Sequence, residues 1–323
     1  MSTSTIVAQT DLSKQLPSCS YSTTKSGPNR YDLDVDSWTT IFETVASSVP
    51  LKKALEFKTL HSVAYRAVTR AFKNVTKLKI EIFKGTCCIQ DSWTKNRQTA
   101  VEMARYVMEN SKIVRVLEIY FDDPCLDVVN EVLDEIVKSN HIRLESLRVK
   151  RRHAGQSLPK IAEIIRANAK TLKEITRIGV SEAALGFCDE LDLEIFGCMS
   201  FDLGFQPNPQ QISLNFCRIM ESGAKFKKFS YTSFDGFDPT NDQIQMLLEK
   251  CAVENLKLTM MNPPKITPKP SFMIGKVRNV KKIELVEIVA EPMRFNKLIS
   301  IRHFFEKCFP NAQNHLSLLQ QWN

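Results

Sequence analysis

The sequence predicts an α/β fold in which a short helical unit is followed by a long series of alternating strands and helices. Three observations carry this reading. Six segments share the pattern apolar-x-x-apolar-x-apolar, the stretches between them carry apolar residues three and four apart, and the pattern returns at intervals mostly close to 28 residues. A period of two marks a short strand with one buried face, and a period near 3.6 marks an amphipathic helix. A unit of one strand and one helix cannot bury its apolar face alone, so such repeats are expected to stack.

Residues 1–30 hold twelve Ser or Thr and few large apolar side chains. They cannot bury enough surface to offset the entropy of ordering and are expected to be a disordered tail. Residues 31–73 form the helical unit. Trp38, Ile41, Phe42 and Val45 stand at i, i+3, i+4 and i+7, and Val49-Pro50 ends that helix because proline disfavours helical dihedrals in the residue before it. Leu51, Ala54 and Leu55 give a second short helix; Leu60, Val63, Ala64, Ala67, Val68 and Phe72 give a third. Three such helices bury little surface by themselves, so the unit needs a neighbour.

Leu33, then Trp38-Thr39-Thr40-Ile41-Phe42, then Pro50-Leu51-x-x-Ala54-Leu55 resembles the F-box, in particular the divergent F-boxes of the large nematode families. Two places depart from that pattern: Asp34 stands where a proline usually follows the first leucine, and Ser62-Val63-Ala64-Tyr65-Arg66 replaces the usual ending. The resemblance implies docking on a Skp-family adaptor through Leu33, Trp38, Ile41, Phe42, Val45, Leu51 and Leu55. The residues alone leave a second reading, in which the helices cap the N-terminal end of the domain that follows.

Residues 74–323 carry the repeats. The full strand motif occurs at Val75/Leu78/Ile80, Val114/Leu117/Ile119, Leu144/Leu147/Val149, Phe226/Phe229/Tyr231, Val253/Leu256/Leu258 and Val280/Ile283/Leu285. Weaker copies lie at Leu172/Ile175, Cys188/Leu191/Leu193 and Leu316/Leu318. Helical stripes fall between them: Val101 to Met108, Leu126 to Val137, Leu158 to Ile165, Ile212 to Met220, Ile244 to Cys251 and Leu298 to Cys308. The interval from 175 to 191 is too short for a full helix, and Asn262-Pro263-Pro264 through Pro270 replaces another with a proline-rich loop.

Length and motif resemble the irregular leucine-rich-like repeats that follow F-boxes, which implies an irregular leucine-rich-repeat-like α/β solenoid. The turn Asn or Cys of that repeat is missing: Phe83, Asp122, Arg152, Phe234, Met261 and Ile288 stand there instead. A different α/β arrangement, such as the F-box-associated homology regions of the nematode families, stays open.

No apolar run approaches the roughly 20 residues that cross a bilayer, and the first residues lack the basic and apolar regions of a signal peptide, so a cytoplasmic or nuclear location and no membrane partner are expected. Nine cysteines, including the vicinal Cys87-Cys88, show no paired Cys-x-x-Cys spacing and read as buried hydrophobes. The five histidines share no metal-ligand spacing, and no glycine-rich phosphate loop occurs among ten glycines. Neither an enzyme nor a cofactor is expected. A net charge of +8 with basic clusters at 148–152, 225–228 and 276–282 permits electrostatic attraction, but no aromatic residues suited to base stacking accompany them, so nucleic acid is not the expected partner.

The resemblance as a whole implies the substrate-recognition subunit of an SCF-type ubiquitin ligase, bridging a Skp-family adaptor and its cullin core to a protein substrate. The alternative is a leucine-rich-like interaction scaffold with no ligase link. Side chains alternate along a strand, so the position between the last two apolar residues of each motif faces away from the core. Lys79, Glu118, Arg148, Lys257 and Glu284, with Tyr120 and Lys150 two residues beyond, are therefore the candidate substrate-binding residues. Four of these seven are basic, which suits an acidic or phosphorylated segment.

Overall fold

The computed structural model describes residues 34–121, 126–139, 142–151, 159–200, 209–233, 242–261, 279–289, 309 and 311–320. Three helices open the chain: α1 (Val35–Ser48), α2 (Leu51–Phe57) and α3 (Ser62–Lys73). Asp34 caps α1 by accepting the Ser37 N–H at 2.6 Å, and the carboxylate at this helix start is held below its ordinary pKa chiefly by that bond. His61 caps α3 in the same way, its Nδ1 accepting the Val63 N–H at 3.1 Å.

An antiparallel edge follows, made of β1 (Lys77–Phe83), β2 (Thr86–Ile89) and β3 (Ser92–Thr94). Strands and helices then alternate: α4 (Arg97–Asn110), β4 (Val116–Phe121), α5 (Leu126–Val137), β5 (Ser146–Arg151), α6 (Pro159–Ala167), β6 (Glu174–Gly179) and α7 (Val180–Gly186). The series continues with β7 (Asp192–Ser200), α8 (Pro209–Glu221), β8 (Lys225–Ser233), α9 (Asp242–Lys250), β9 (Asn255–Met261), β10 (Lys282–Val289) and β11 (Gln313–Gln320).

Among the described residues, eleven strands join one sheet in the order β11-β10-β9-β8-β7-β6-β5-β4-β1-β2-β3. Every pair from β1–β4 through β10–β11 is parallel. The architecture is thus α/β with a mostly parallel sheet and an N-terminal helical unit. Parallel crossovers are right-handed, so a sheet that grows one strand at a time in a single direction keeps its connecting helices on one face. Helices α4 to α9 accordingly pack each on the next. Leu78, Ile80 and Ile82 of β1, Leu117, Ile119 and Phe121 of β4, and their equivalents share one core with Met103, Val107, Val132, Leu133, Ile164 and Ile165 of the helices.

The last two apolar residues of all six full motifs fall on strands, while the first lies just before the strand in every case but Phe226. The helical stripes between Val101 and Leu248 likewise fall on α4, α5, α6, α8 and α9, with Cys251 just past α9, while Leu158, the Leu298–Cys308 stripe and the proline-rich loop lie outside the described residues.

The reading around 188–193 needs correction. Phe196, not Leu191, pairs with Ile175 on one side and with Phe229 on the other, so the β7 motif is Leu193/Phe196/Cys198. The interval from Ile175 is therefore long enough for the seven-residue α7. That helix lies tight on α6 at Gly186, where a Cβ would stand 2.9 Å from Ile165 Cδ1 and 3.1 Å from Ala162 Cα.

The hairpin strands β2 and β3 were not anticipated either. Lys84 and Gly85 (φ 47° and 73°) and Gln90 and Asp91 (φ 48° and 61°) form two tight turns with positive φ at both central residues, the geometry that fits hairpin twist.

Side chains link neighbouring turns at the other end of the strands, where helices lead into them. Ser111 Oγ donates to Val75 O at 2.7 Å and Thr171 Oγ1 to Leu144 O at 2.8 Å. Buried Asn168 accepts the Leu144 N–H at 2.9 Å, and Asn279 Nδ2 donates to Leu248 O and Val253 O. These bonds tie three of the helix-to-strand turns, those before β4, β6 and β10, to the preceding one and satisfy backbone groups that burial would otherwise leave unpaired.

Candidate functional site

Two surfaces stand out, one at each level of the fold. The first is on α1. This helix packs chiefly on α3 through small residues: Thr39 and Ala46 are buried, as are Ala64, Ala67 and Val68 opposite. Thr39 satisfies its hydroxyl within the helix, donating to Val35 O at 2.7 Å. The large apolar residues face the other way. Val35, Trp38 and Ile41 are 58%, 44% and 41% exposed, and Trp38 stacks on half-buried Phe42 with ring centroids 5.8 Å apart.

The seven adaptor candidates therefore divide. Trp38 and Ile41 are exposed; Phe42, Val45 and Leu55 are half-buried; Leu51 is sealed in the core at 2% exposure. Leu51 is thus placed for packing and not for contact with a partner. Leu33 lies outside the described residues. Leu60, expected on the buried stripe of the third helix, precedes α3 and is exposed.

The helical unit also adjoins the sheet edge. The Lys52 N–H donates to buried Ser92 Oγ on β3 at 3.0 Å, and Phe72 meets Tyr106 of α4 edge-on at 5.7 Å.

The second surface is the sheet face opposite the helices. Parallel register lines up Lys79, Glu118, Arg148 and Thr176 on neighbouring strands, and Glu81, Tyr120 and Lys150 one step along. Farther across, Gly197, Ser230, Lys257 and Glu284 share one row, and Met199, Thr232 and Thr259 the next. Six of the seven substrate candidates line a groove of about 510 Å³ across this face, and Glu284 sits beside Lys257 at its end. All seven thus share one face.

Their charges are largely used on one another. Lys77, Glu118, Arg148 and Glu174 form a chain of ion pairs over four strands, at 2.7, 3.2 and 3.4 Å. Burial works to raise the Glu118 carboxyl, but the Lys77 hydrogen bond and the charges of Lys77 and Arg148 outweigh it and hold it below its ordinary range. Lys79 pairs with Glu81 at 3.1 Å, and Lys257 with Glu284, whose carboxyl is lowered chiefly by that hydrogen bond. Lys150 lies over the Tyr120 ring, 4.9 Å from its centroid. The mixed, net-positive surface expected from the residue types is therefore largely a ladder of paired charges.

The ladder stops in the middle. Between β6 and β9 the groove is floored by Thr176, Gly197, Met199, Ser230, Thr232 and Thr259. Arg177, which the strand pattern did not single out, joins them. Its φ is 60° and it sits where the β6–β7 register shifts, so that Thr176 and Arg177 fall between one pair of ladder partners, Ile175/Phe196, and the next, Ile178/Cys198. Both side chains then point away from the core. A one-residue bulge of this kind is visible only once strand pairing is known.

Among the described residues no group of three His, Cys, Asp or Glu could hold a metal ion. Cys87 and Cys88 are buried free thiols, and burial, with Glu81 nearby, pushes Cys88 up to about 11, which keeps it protonated and unreactive. No described helix is long and apolar enough to cross a membrane. No protein-family model matches the chain, and no curated protein matches it in sequence.

Proposed function

We propose that this protein is a substrate-recognition subunit of an SCF-type ubiquitin ligase, holding a Skp-family adaptor on α1 and a protein substrate on the open sheet face. The observation that carries the adaptor half is the outward apolar stripe of Val35, Trp38 and Ile41 on a helix whose small-residue side is already packed. Exposed aromatic and aliphatic anchors on a rigid element are what a protein partner buries at the centre of an interface. The repeat region reads as a leucine-rich-repeat-like solenoid, a reading supported by the one-directional strand order and the side-chain bonds that link successive turns. Its role is proximity: a bound substrate presents its lysines to the ubiquitin-loaded enzyme at high effective concentration, with no bond chemistry by this chain.

The test is capture of a purified Skp-family adaptor by the full chain. Trp38→Ala with Ile41→Ala is expected to weaken capture at least tenfold while lowering the urea midpoint only slightly, because both side chains are partly exposed and lie outside the hydrophobic core. Leu51→Ala is the wrong probe, since it opens a core cavity. Undiminished capture by the double variant, or no capture by the parent chain, sinks the ligase reading and leaves an interaction scaffold whose N-terminal helices serve only to cover the sheet edge.

A further inference from the structure

One seam interrupts the parallel part of the sheet. β5 pairs with β4 along its whole length, from Ser146 to Arg151, but with β6 only at Ser146/Glu174, Leu147/Ile175 and Arg148/Thr176. Val149, Lys150 and Arg151 thus have a register partner on one side and none on the other. On its far side β6 meets β7 at Glu174/Ile195 and Ile175/Phe196, loses register, and resumes at Ile178/Cys198 and Gly179/Met199. A single residue accounts for the interruption. Burial along β4 alternates strictly, whereas β6 turns Ile175 inward, Thr176 and Arg177 outward and Ile178 inward. Without Arg177 the strand would alternate like β4 and could keep step with both neighbours beyond Thr176. Arg177 is therefore the extra residue of a bulge, and its φ of 60° carries a cost for any residue with a Cβ.

The two ends of the seam differ. At the strand starts it is pinned: Asn168 and Thr171, in the turn before β6, bond the backbone of Leu144 at 2.9 and 2.8 Å. Ser146 Oγ donates to Glu174 at 3.3 Å, and Arg148 pairs with the same carboxylate at 3.4 Å. In the helix layer α7 lies tight on α6 at Gly186. At the strand finishes the register pairing has already ended. We infer that this seam is a hinge. The sheet opens there locally, the body from α1 to β5 and the body from β7 to β11 each staying folded and turning about the pinned strand starts. Opening begins where the fewest backbone links must part, and β5 and β6 share fewer register pairs than any other parallel neighbours. Such a hinge sets the angle between the helical unit and the distal strands, and with it the distance between a partner held on α1 and one held beyond β6. It does not depend on what those partners are.

The experiment is native-state amide hydrogen exchange of the full chain, read by mass spectrometry over a series of low urea concentrations. Amides of residues 149–151 and 176–179 are expected to exchange with one shared opening equilibrium, at least about a hundredfold faster than those of 117–121 and 229–231. Low urea should barely change that opening, because a local event exposes little surface. Deleting Arg177 is expected to slow exchange at 149–151 at least about tenfold, by letting the strand pairing run on. Arg177→Gly, which keeps the extra residue and accepts the positive φ, should leave exchange there as fast as in the parent. Protection of 149–151 and 176–179 equal to that of the flanking strands overturns the inference on the parent chain alone, whether or not the deletion variant folds. Different opening equilibria for the two segments overturn it too, since they would mark two separately frayed ends, as does protection lost along the whole of either body together with the seam. A folded deletion variant in which 149–151 exchange as fast as before would equally defeat it.

Discussion

The two faces of the sheet are built from the same strands and obey different physics. Toward the helices, Leu78, Leu117, Leu147, Ile175, Phe196, Phe229 and Leu256 succeed one another strand by strand, each at most 3% exposed. On the other side, one residue along, stand Lys79, Glu118, Arg148, Thr176, Gly197, Ser230 and Lys257. The first row is selected by volume and apolarity and carries the stability. The second is held by ion pairs in contact with water, which contribute little to folding, so its residues are free to be chosen for what they recognise. Substitutions on the two faces should therefore differ in kind.

The largest effect belongs to the aromatic cluster on the helix side. Phe196 is fully buried and meets Phe187, Phe226 and Phe229 with ring centroids 4.8, 5.0 and 5.5 Å apart. Phe196→Ala removes those contacts and leaves a cavity in a part of the sheet that neighbours brace on both sides. Urea unfolding should show a loss of about 3–5 kcal/mol. A loss under about 1 kcal/mol would mean that the two faces do not divide stability from recognition as described.

This division also explains what the sequence disclosed. Val253, Leu256 and Leu258 announce β9 because burial on one face writes a period of two into the chain. The same rule misplaced β7, since Cys188, Leu191 and Leu193 reproduce the spacing five residues early; only the pairing of Phe196 with Phe229 settles the register. Consecutive Cys87, Cys88 and Ile89 are all buried, so β2 shows no alternation and went unseen.

On the open face, positions were legible but interactions were not. Arg148 finds Glu118 thirty residues back and Glu174 twenty-six ahead, and nothing local pairs them. The α1 stripe was legible as a stripe, yet its direction depended on small residues, Thr39 and Ala46, that a search for large apolar side chains passes over.

An intermediate effect is expected in the helix layer, where polar groups lie close to the core. Glu135 of α5 is 8% exposed, and its carboxylate accepts from Arg105 Nε at 2.8 Å and Nη2 at 3.2 Å and from Lys138 Nζ at 3.0 Å. The Arg105 hydrogen bond, assisted by Lys138 and opposed by burial, lowers its pKa from 4.5 to about 2. A carboxyl whose pKa is depressed on folding stabilises the fold fully above its unfolded value, and that contribution fades as the pH falls from about 4.5 toward 2. Both cations stay largely in contact with water, Arg105 about half and Lys138 about two-thirds exposed, and are screened, so Glu135→Gln should cost about 1.5 kcal/mol at neutral pH, the low end for a hydrogen bond to a charged group. The gap between variant and parent should narrow as the pH is lowered through that window. A gap independent of pH would assign the loss to packing instead.

The smallest effect should come from the open face itself, and it tests the comparison most sharply because the geometry there looks strong. Lys257 and Glu284 face each other across β9 and β10 in direct register, about a third exposed, in a close hydrogen-bonded contact. Their attraction competes with water for both groups and with the entropy of fixing two long side chains. A double-mutant cycle with Lys257→Ala and Glu284→Ala isolates the pair from whatever each residue does alone. The coupling should be below about 1 kcal/mol, and most of it should vanish in about 1 M salt, where charges are screened beyond roughly 3 Å. A coupling of several kcal/mol that survives salt would make this row part of the structural frame, and the face would then be too costly to remodel for recognition.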